Sequence, residues 1–146
     1  MQYFFQENFI ATIKTLLKKK SYKDCELAII KGIFKPTKEE LFANFTANRL
    51  NASAKNPIVK IRISSDKGKR SSYRLYFFAI IKKEQLYFGH LYPKTGSKGQ
   101  TALSQNEEKN IIRSLLSDVK EGATMEVYLE KSKNKICYCS NTVTVW

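Results

Sequence analysis

The first third of the chain places its apolar residues at helical spacing. A short apolar run at residues 3–5 predicts a strand, and two stripes with spacings of three and four follow it. The stripes consist of Phe9, Ile10, Ile13, Leu16 and Leu17, and then of Leu27, Ile30 and Phe34. Residues 21–24 have the form of a capping box that opens the second helix, and Pro36 should end it. Residues 38–45 fit either one or two further helical turns, and residues 48–56 read as a loop.

The middle of the chain changes to a period of two. Residues 59–64, 72–81 and 85–92 are rich in β-branched and aromatic side chains and are separated by polar connections. They predict three antiparallel strands in a meander, followed by a glycine-containing loop over residues 93–102. Alternation along the first strand sends Lys60 and Arg62 to one face, and cross-strand pairing can place Arg74 and Tyr76 on that face too.

The last third opens on a full capping box formed by Ser104 and Glu107. One apolar stripe follows, and it consists of Ile111, Ile112, Leu115, Leu116 and Val119. Gly122 should end this helix, and residues 125–130 and 135–140 predict a β-hairpin. The element order predicts a single α+β domain over residues 1–146: an N-terminal strand and helical hairpin packed on an antiparallel β-meander, followed by a helix and a C-terminal β-hairpin.

The charge of the chain is strongly positive and unevenly distributed. Its 146 residues contain 26 Lys and Arg against 13 Asp and Glu, which gives a formal net charge of +13. Between residues 55 and 100 there are eleven cations and two anions, so this segment carries +9 of that total. A concentrated basic patch favours a polyanionic partner, nucleic acid first.

The remaining composition points to the cytoplasm. Three cysteines cannot form a complete disulfide framework, which favours a reducing compartment. We find no signal-peptide pattern at the N-terminus and no apolar run near the ~20 residues that a membrane span needs. We therefore predict a cytoplasmic protein without a membrane partner.

The candidate chemistry is that of cations and tyrosines. His90 is the only histidine, so catalysis by a Ser-His-Asp triad or by two histidines cannot be assembled, and we interpret it as a packed or edge residue of a strand. What remains is Lys60, Arg62, Arg74, Tyr76, Tyr92 and Lys94. Such a set can cleave RNA without metal or cofactor, because the 2′-OH is an internal nucleophile and cations can stabilise the charge on the phosphate. The same set can also form a basic face that only binds.

Five segments, in this order, resemble the RelE/HigB-like toxins of bacterial type II toxin–antitoxin systems. The segments are Lys60-Ile61-Arg62, the basic loop at residues 67–70, Arg74-Leu75-Tyr76-Phe77, Leu91-Tyr92-Pro93-Lys94 and the helix start at residues 103–107. The resemblance covers residues 1–120 as a RelE-like toxin core. Residues 121–146 exceed that core, and they either cover a sheet edge, bind a partner or mark a divergent role.

The resemblance implies a toxin that acts as a ribosome-dependent mRNA endonuclease and inhibits translation. Its partners would be the ribosome, mRNA and a cognate antitoxin. By matching position, Lys60 and Arg62 would act as base and phosphate ligand, Arg74 would stabilise the transition state, and Lys94 would protonate the leaving 5′-oxygen. Tyr92 stands in for the C-terminal tyrosine of the RelE branch, for which the chain has no clear match. The candidates for RNA contacts are Lys67, Lys69, Arg70, Tyr76 and Lys98.

Two alternatives stay open at this level. A ParE-like toxin would inhibit DNA gyrase by binding and would need no cluster for phosphate cleavage. A basic nucleic-acid-binding module would gain its affinity from phosphate neutralisation, so that no single cation would be decisive.

Overall fold

The computed structural model describes residues 1–65, 72–100 and 102–146. Within them, one six-stranded sheet is flanked by four α-helices, which confirms the α+β class. The strands are β1 (Gln2–Gln6), β2 (Ile58–Ser64), β3 (Ser72–Ile80), β4 (Gln85–Pro93), β5 (Thr124–Glu130) and β6 (Lys135–Tyr138). The helices are α1 (Glu7–Leu17), α2 (Cys25–Ile29), α3 (Lys38–Ala47) and α4 (Gln105–Glu121), and α2 continues into a wide π-helical turn, Ile30–Phe34.

The N-terminal strand lies inside the sheet rather than at its margin. The strand order is β2-β3-β4-β1-β5-β6, with β1 parallel to β4 and every other neighbouring pair antiparallel. The predicted meander of β2, β3 and β4 and the predicted C-terminal hairpin are therefore confirmed. Because β5 pairs with β1, the residues beyond the expected toxin core cover what would otherwise be a sheet edge.

The core lies between one face of the sheet and helices α1, α2 and α3. Its largest fully buried side chains include Phe5, Phe9, Phe77 and Phe88, whose rings meet at centroid distances of 4.9 to 5.9 Å. Trp146 closes this core from the C-terminus, because its ring stacks on Phe5 at 5.6 Å and its indole N–H donates to the carbonyl of Ile10 at 3.1 Å. The last residue of the chain is thus tied to the first helix.

The segment formed by α2 and its π-helical turn contacts the sheet at both of its edge strands. At one margin, Gly32 packs so closely on β2 that a Cβ there would lie 2.5 Å from Cγ2 of Ile63. At the other margin, the buried carboxylate of Glu26 accepts from the backbone N–H of Ile136 at 3.0 Å and from Lys135 Nζ at 3.0 Å. Gly32 is therefore required for the close packing of this segment on β2.

Helix α4 packs on the opposite face of the sheet. The predicted capping box at Ser104 and Glu107 is present in both directions, and Gly122 ends the helix in the left-handed conformation with φ 68°. A β-bulge in β4 brings Gly89 beneath the helix, where a Cβ would lie 2.9 Å from Cδ2 of Leu115. This close approach sets α4 against β3 and β4.

Two local predictions differ from the structure. The carboxylate of Asp24 does not cap α2; it accepts from the hydroxyls of Ser65 at 2.5 Å and Tyr73 at 2.6 Å, because the end of β2 lies beside it. Residues 38–45 belong to a complete helix, α3, whose N-terminus is capped by Thr37. Among the described residues, no helix is long and apolar enough to cross a membrane.

Candidate functional site

The predicted basic residues meet in two rows on the face of the sheet that α4 partly covers. Lys60, Tyr76 and His90 occupy paired positions on β2, β3 and β4. The neighbouring row contains Arg62, Arg74 and Tyr92 in the same order. The shared face that the period of two predicts for Lys60, Arg62, Arg74 and Tyr76 is therefore confirmed by the strand register.

The row of Arg62, Arg74 and Tyr92 combines like charges with unpaired polar atoms. Directly opposed cations destabilise a strand pair, and Arg62 lies opposite Arg74. Within the described part of the chain, Nη1 of Arg74 and Oη of Tyr92 are buried without a hydrogen-bond partner. A buried donor left unpaired costs about 1–3 kcal/mol, and an anion placed between these groups would remove both penalties.

Lys94 joins this row at the end of β4. Its backbone N–H donates to the carbonyl of Ser72 at 3.2 Å, which keeps it next to the strand that carries Arg74. Desolvation lowers the pKa of the Lys94 ammonium, and the nearby charges of Arg74, Lys60 and Arg62 lower the pKa further. The four cations therefore form one electrostatically coupled group, which we call the cation cluster (Lys60, Arg62, Arg74 and Lys94).

Tyr76 supports the cation cluster from beneath α4. The Lys60 ammonium lies 5.5 Å from the centroid of its ring, a cation–π contact. Its hydroxyl donates to Oε2 of Glu108 at 2.6 Å, and burial together with this bond raises the pKa of the Tyr76 hydroxyl. Because Tyr76 is only 1% exposed, its ring positions Lys60 in this conformation, and stacking on an RNA base would require α4 to move.

Two residues next to the cluster were assigned no site role from the sequence. The His90 ring lies 6.2 Å from that of Tyr76 and 6.1 Å from that of Tyr92. Burial lowers the pKa of His90, and the charge of Glu107 opposes that shift. Glu108 belongs to the site because it accepts a hydrogen bond from Tyr76. The alternation of the strand indicates His90, which lies two residues before Tyr92 and therefore on the same face. No sequence pattern indicates Glu108, which lies next to the capping residue Glu107.

Of the other predicted RNA contacts, Lys98 lies outside these two rows. Lys98 sits in the loop after β4, which Tyr22 fixes by donating to the carbonyl of Thr95 at 2.8 Å and accepting from the Lys98 backbone N–H at 2.9 Å. Gly96 is needed between them, because its φ is +87° and a Cβ would clash with the Tyr22 hydroxyl. Lys67, Lys69 and Arg70 lie outside the described residues.

The cysteines and acidic residues are dispersed through the described ranges. There, no group of three or more His, Cys, Asp or Glu side chains is close enough to hold a metal ion. Cys25 and Cys137 are buried, Cys139 is exposed, and all three are free thiols. The polar groups that converge in the site are those of the cation cluster and its tyrosines.

Comparison with known proteins finds no family model, no curated protein and no solved structure that matches this chain.

Proposed function

We propose that this protein is a toxin that cleaves mRNA on the ribosome without a metal ion and thereby inhibits translation. The observation that carries the proposal is the row of Arg62, Arg74 and Tyr92, with two buried polar atoms that lack a hydrogen-bond partner among the described residues and with Lys94 beside it. A phosphodiester fits this row, because it supplies a negative charge and acceptor oxygens where the protein has positive charge and donors.

The reaction that suits these groups is transesterification within the RNA. The 2′-oxygen attacks the adjacent phosphorus, the bond from phosphorus to the 5′-oxygen breaks, and the products carry a 2′,3′-cyclic phosphate and a 5′-hydroxyl. Arg62 and Arg74 bind the phosphate and stabilise the charge that builds up on its oxygens. Lys60, in the fraction of molecules where it is the neutral amine, takes the proton from the 2′-OH, and the Lys94 ammonium gives a proton to the leaving 5′-oxygen.

The lowered pKa of Lys94 supports its role as the proton donor. An ammonium whose pKa is lowered gives up its proton more readily than an ordinary lysine, which matches a leaving alkoxide better at neutral pH. The burial of Tyr92 beside Arg74 supports a second role, in which its hydroxyl binds the phosphate. A cognate antitoxin would neutralise the protein by covering the cation cluster with acidic groups.

Purified protein incubated with ribosomes that carry a defined mRNA should cut the message in the ribosomal A site. Primer extension locates the cut, and end-group analysis should identify a 2′,3′-cyclic phosphate. Intact mRNA under these conditions would reject the proposal. Inhibition of DNA supercoiling by gyrase, measured in parallel with intact mRNA, would favour the gyrase-inhibiting alternative.

The contribution of Lys94 to the cleavage rate, measured as the ratio of the rates of the original protein and Lys94→Arg, should decrease as the pH rises through the pKa of Lys94. Only the protonated ammonium can donate, and its pKa lies below the ordinary lysine value of 10.5 because of burial and the neighbouring cations, so the decrease should begin below that value. Lys94→Arg keeps the charge but cannot release a proton, so we expect a loss of about 10²–10⁴-fold and no such pH dependence. Single-turnover rates of both proteins between neutral and alkaline pH measure this, and a Lys94→Arg enzyme with the original rate and profile would refute the role.

A further inference from the structure

A cleft adjoins the cation cluster at the C-terminal end of β4, on the side of this strand that β1 no longer covers. The ladder between β1 and β4 ends at Phe5 and Phe88, so the last residues of β4 extend beyond β1, and α1 runs past them. The cleft there has a volume of about 260 Å³. Its polar lining comes from α1, β4 and the loop that follows β4, namely Thr12, Thr15, His90, Tyr92, Lys98 and Gln100.

The strand backbone adds hydrogen-bonding groups to this edge. The bond from the Lys94 N–H to the Ser72 carbonyl shows which residues of β4 face β3. Because successive residues of a strand direct their backbone groups to opposite sides, the N–H and carbonyl of Leu91 are directed away from β3, towards the cleft. A donor and an acceptor side by side are what the hydrogen-bonding edge of a nucleobase requires.

The side chains of the cleft suit a neutral, planar, polar ligand. Burial lowers the pKa of His90, so its imidazole is neutral at neutral pH and offers one donor and one acceptor. Thr12 has no side-chain hydrogen bond within the described residues, and Gln100 is tied through its backbone N–H, which donates to the carbonyl of Pro93 at 3.0 Å. The hydroxyl of Thr12 and the amide of Gln100 can therefore both turn to a ligand.

Tyr92 connects the cleft to the cation cluster. It lines the cleft, pairs with Arg74 across the strands, and precedes Lys94 by two residues on the same face. A nucleotide whose phosphate contacts Arg74 and Lys94 thus has its base next to this opening. We propose that the cleft between α1, the end of β4 and Gln100 binds the nucleobase that flanks the scissile phosphate and so sets the base preference of cleavage; this inference rests on the proposed function.

The first test compares cleavage of RNAs that differ only in the base on either side of the cleaved bond. Thr12→Val, which is nearly isosteric, and Gln100→Ala should each change the ratio of rates between preferred and disfavoured bases about tenfold, the effect of one or two lost hydrogen bonds. Thr46→Val on α3 is the matched control, because Thr46 is also a helical threonine but lines a different pocket, and its ratios should remain those of the original protein. Unchanged ratios in both cleft variants would overturn the inference while leaving the proposed cleavage intact.

The second test measures binding without cleavage. Ribonucleoside 3′-monophosphates titrated into the protein should shift the backbone amide resonances of Leu91 and Gln100, and the affinity should decrease about tenfold in Thr12→Val. Shifts at these amides in a protein that cuts no RNA would support the cleft and reject only the proposed reaction. Shifts confined to the Arg74 and Lys94 amides would mean that phosphate alone is bound, and the nucleobase site would be wrong.

Discussion

Replacing Arg74 by methionine should strongly reduce the rate of RNA cleavage without destabilising the fold. Loss of one preorganised donor to the developing phosphate charge reduces a rate by about 10²–10³. The same change removes a buried Nη1 that has no partner in the described structure and relieves the repulsion with Arg62 on the adjacent strand. Since an unpaired buried donor costs about 1–3 kcal/mol, the free energy of unfolding should stay the same or rise by about 1 kcal/mol.

The experiment pairs A-site cleavage with urea unfolding of the same preparations. Arg113→Met on α4 is the control, because it removes an exposed arginine and should leave both measurements unchanged. Arg74→Lys keeps the charge but loses the two-pronged donor geometry, so its rate should fall between those of the original protein and Arg74→Met. If Arg74→Met cut mRNA at the original rate, the catalytic assignment would be wrong. A loss of more than about 2 kcal/mol would show that Arg74 has a structural partner.

The sequence alone was sufficient to predict that these cations share one face of the sheet, because the side chains of a strand alternate between its two faces with a period of two. Lys60 and Arg62 alternate with buried isoleucines, and the antiparallel pairing of β2 with β3 places Arg62 opposite Arg74. The register of such a pair follows from its burial pattern. The pairing of Arg74 with Tyr92 depends in addition on the β-bulge at Gly89, which the sequence pattern did not predict. Local patterns of this kind also located α4, whose capping box and C-terminal glycine are both present.

Contacts between segments that are distant in the sequence could not be predicted from local patterns. The position of β1 between β4 and β5 depends on which apolar faces fit together, and no local pattern in residues 2–6 indicates the strands with which β1 pairs. The carboxylate of Asp24 fits a helix cap as well as it fits Ser65 and Tyr73, so only the folded chain distinguishes the two. The same holds for Glu108, whose partner Tyr76 is 32 residues away.

The architecture explains how a sheet with so much charge on one face can remain stable. Most of its apolar area faces α1, α2 and α3, and the cation cluster lies on the opposite face beside α4. There, Glu108 accepts a hydrogen bond from Tyr76, and the ring of Tyr76 contacts Lys60, while Arg62 remains exposed. The residues of the core and those of the proposed site thus lie on opposite faces, which is why a substitution in the cluster should change the proposed activity without unfolding the chain.

The reverse behaviour is expected at Glu26, on the core side of the sheet. Glu26→Ala should lower the free energy of unfolding by about 3 kcal/mol and the melting temperature by roughly 10 °C, because it leaves the Ile136 N–H unpaired and removes the link between α2 and β6. The side chain of Glu26 is 8% exposed, whereas that of Lys135 is 49% exposed. Lys135→Ala should therefore cost less than about 1 kcal/mol. Glu26→Gln, which keeps an acceptor for Ile136, should lie between the two. Thermal and urea unfolding measure all three, and a Glu26→Ala protein as stable as Lys135→Ala would show that the carboxylate does not hold β6 in place.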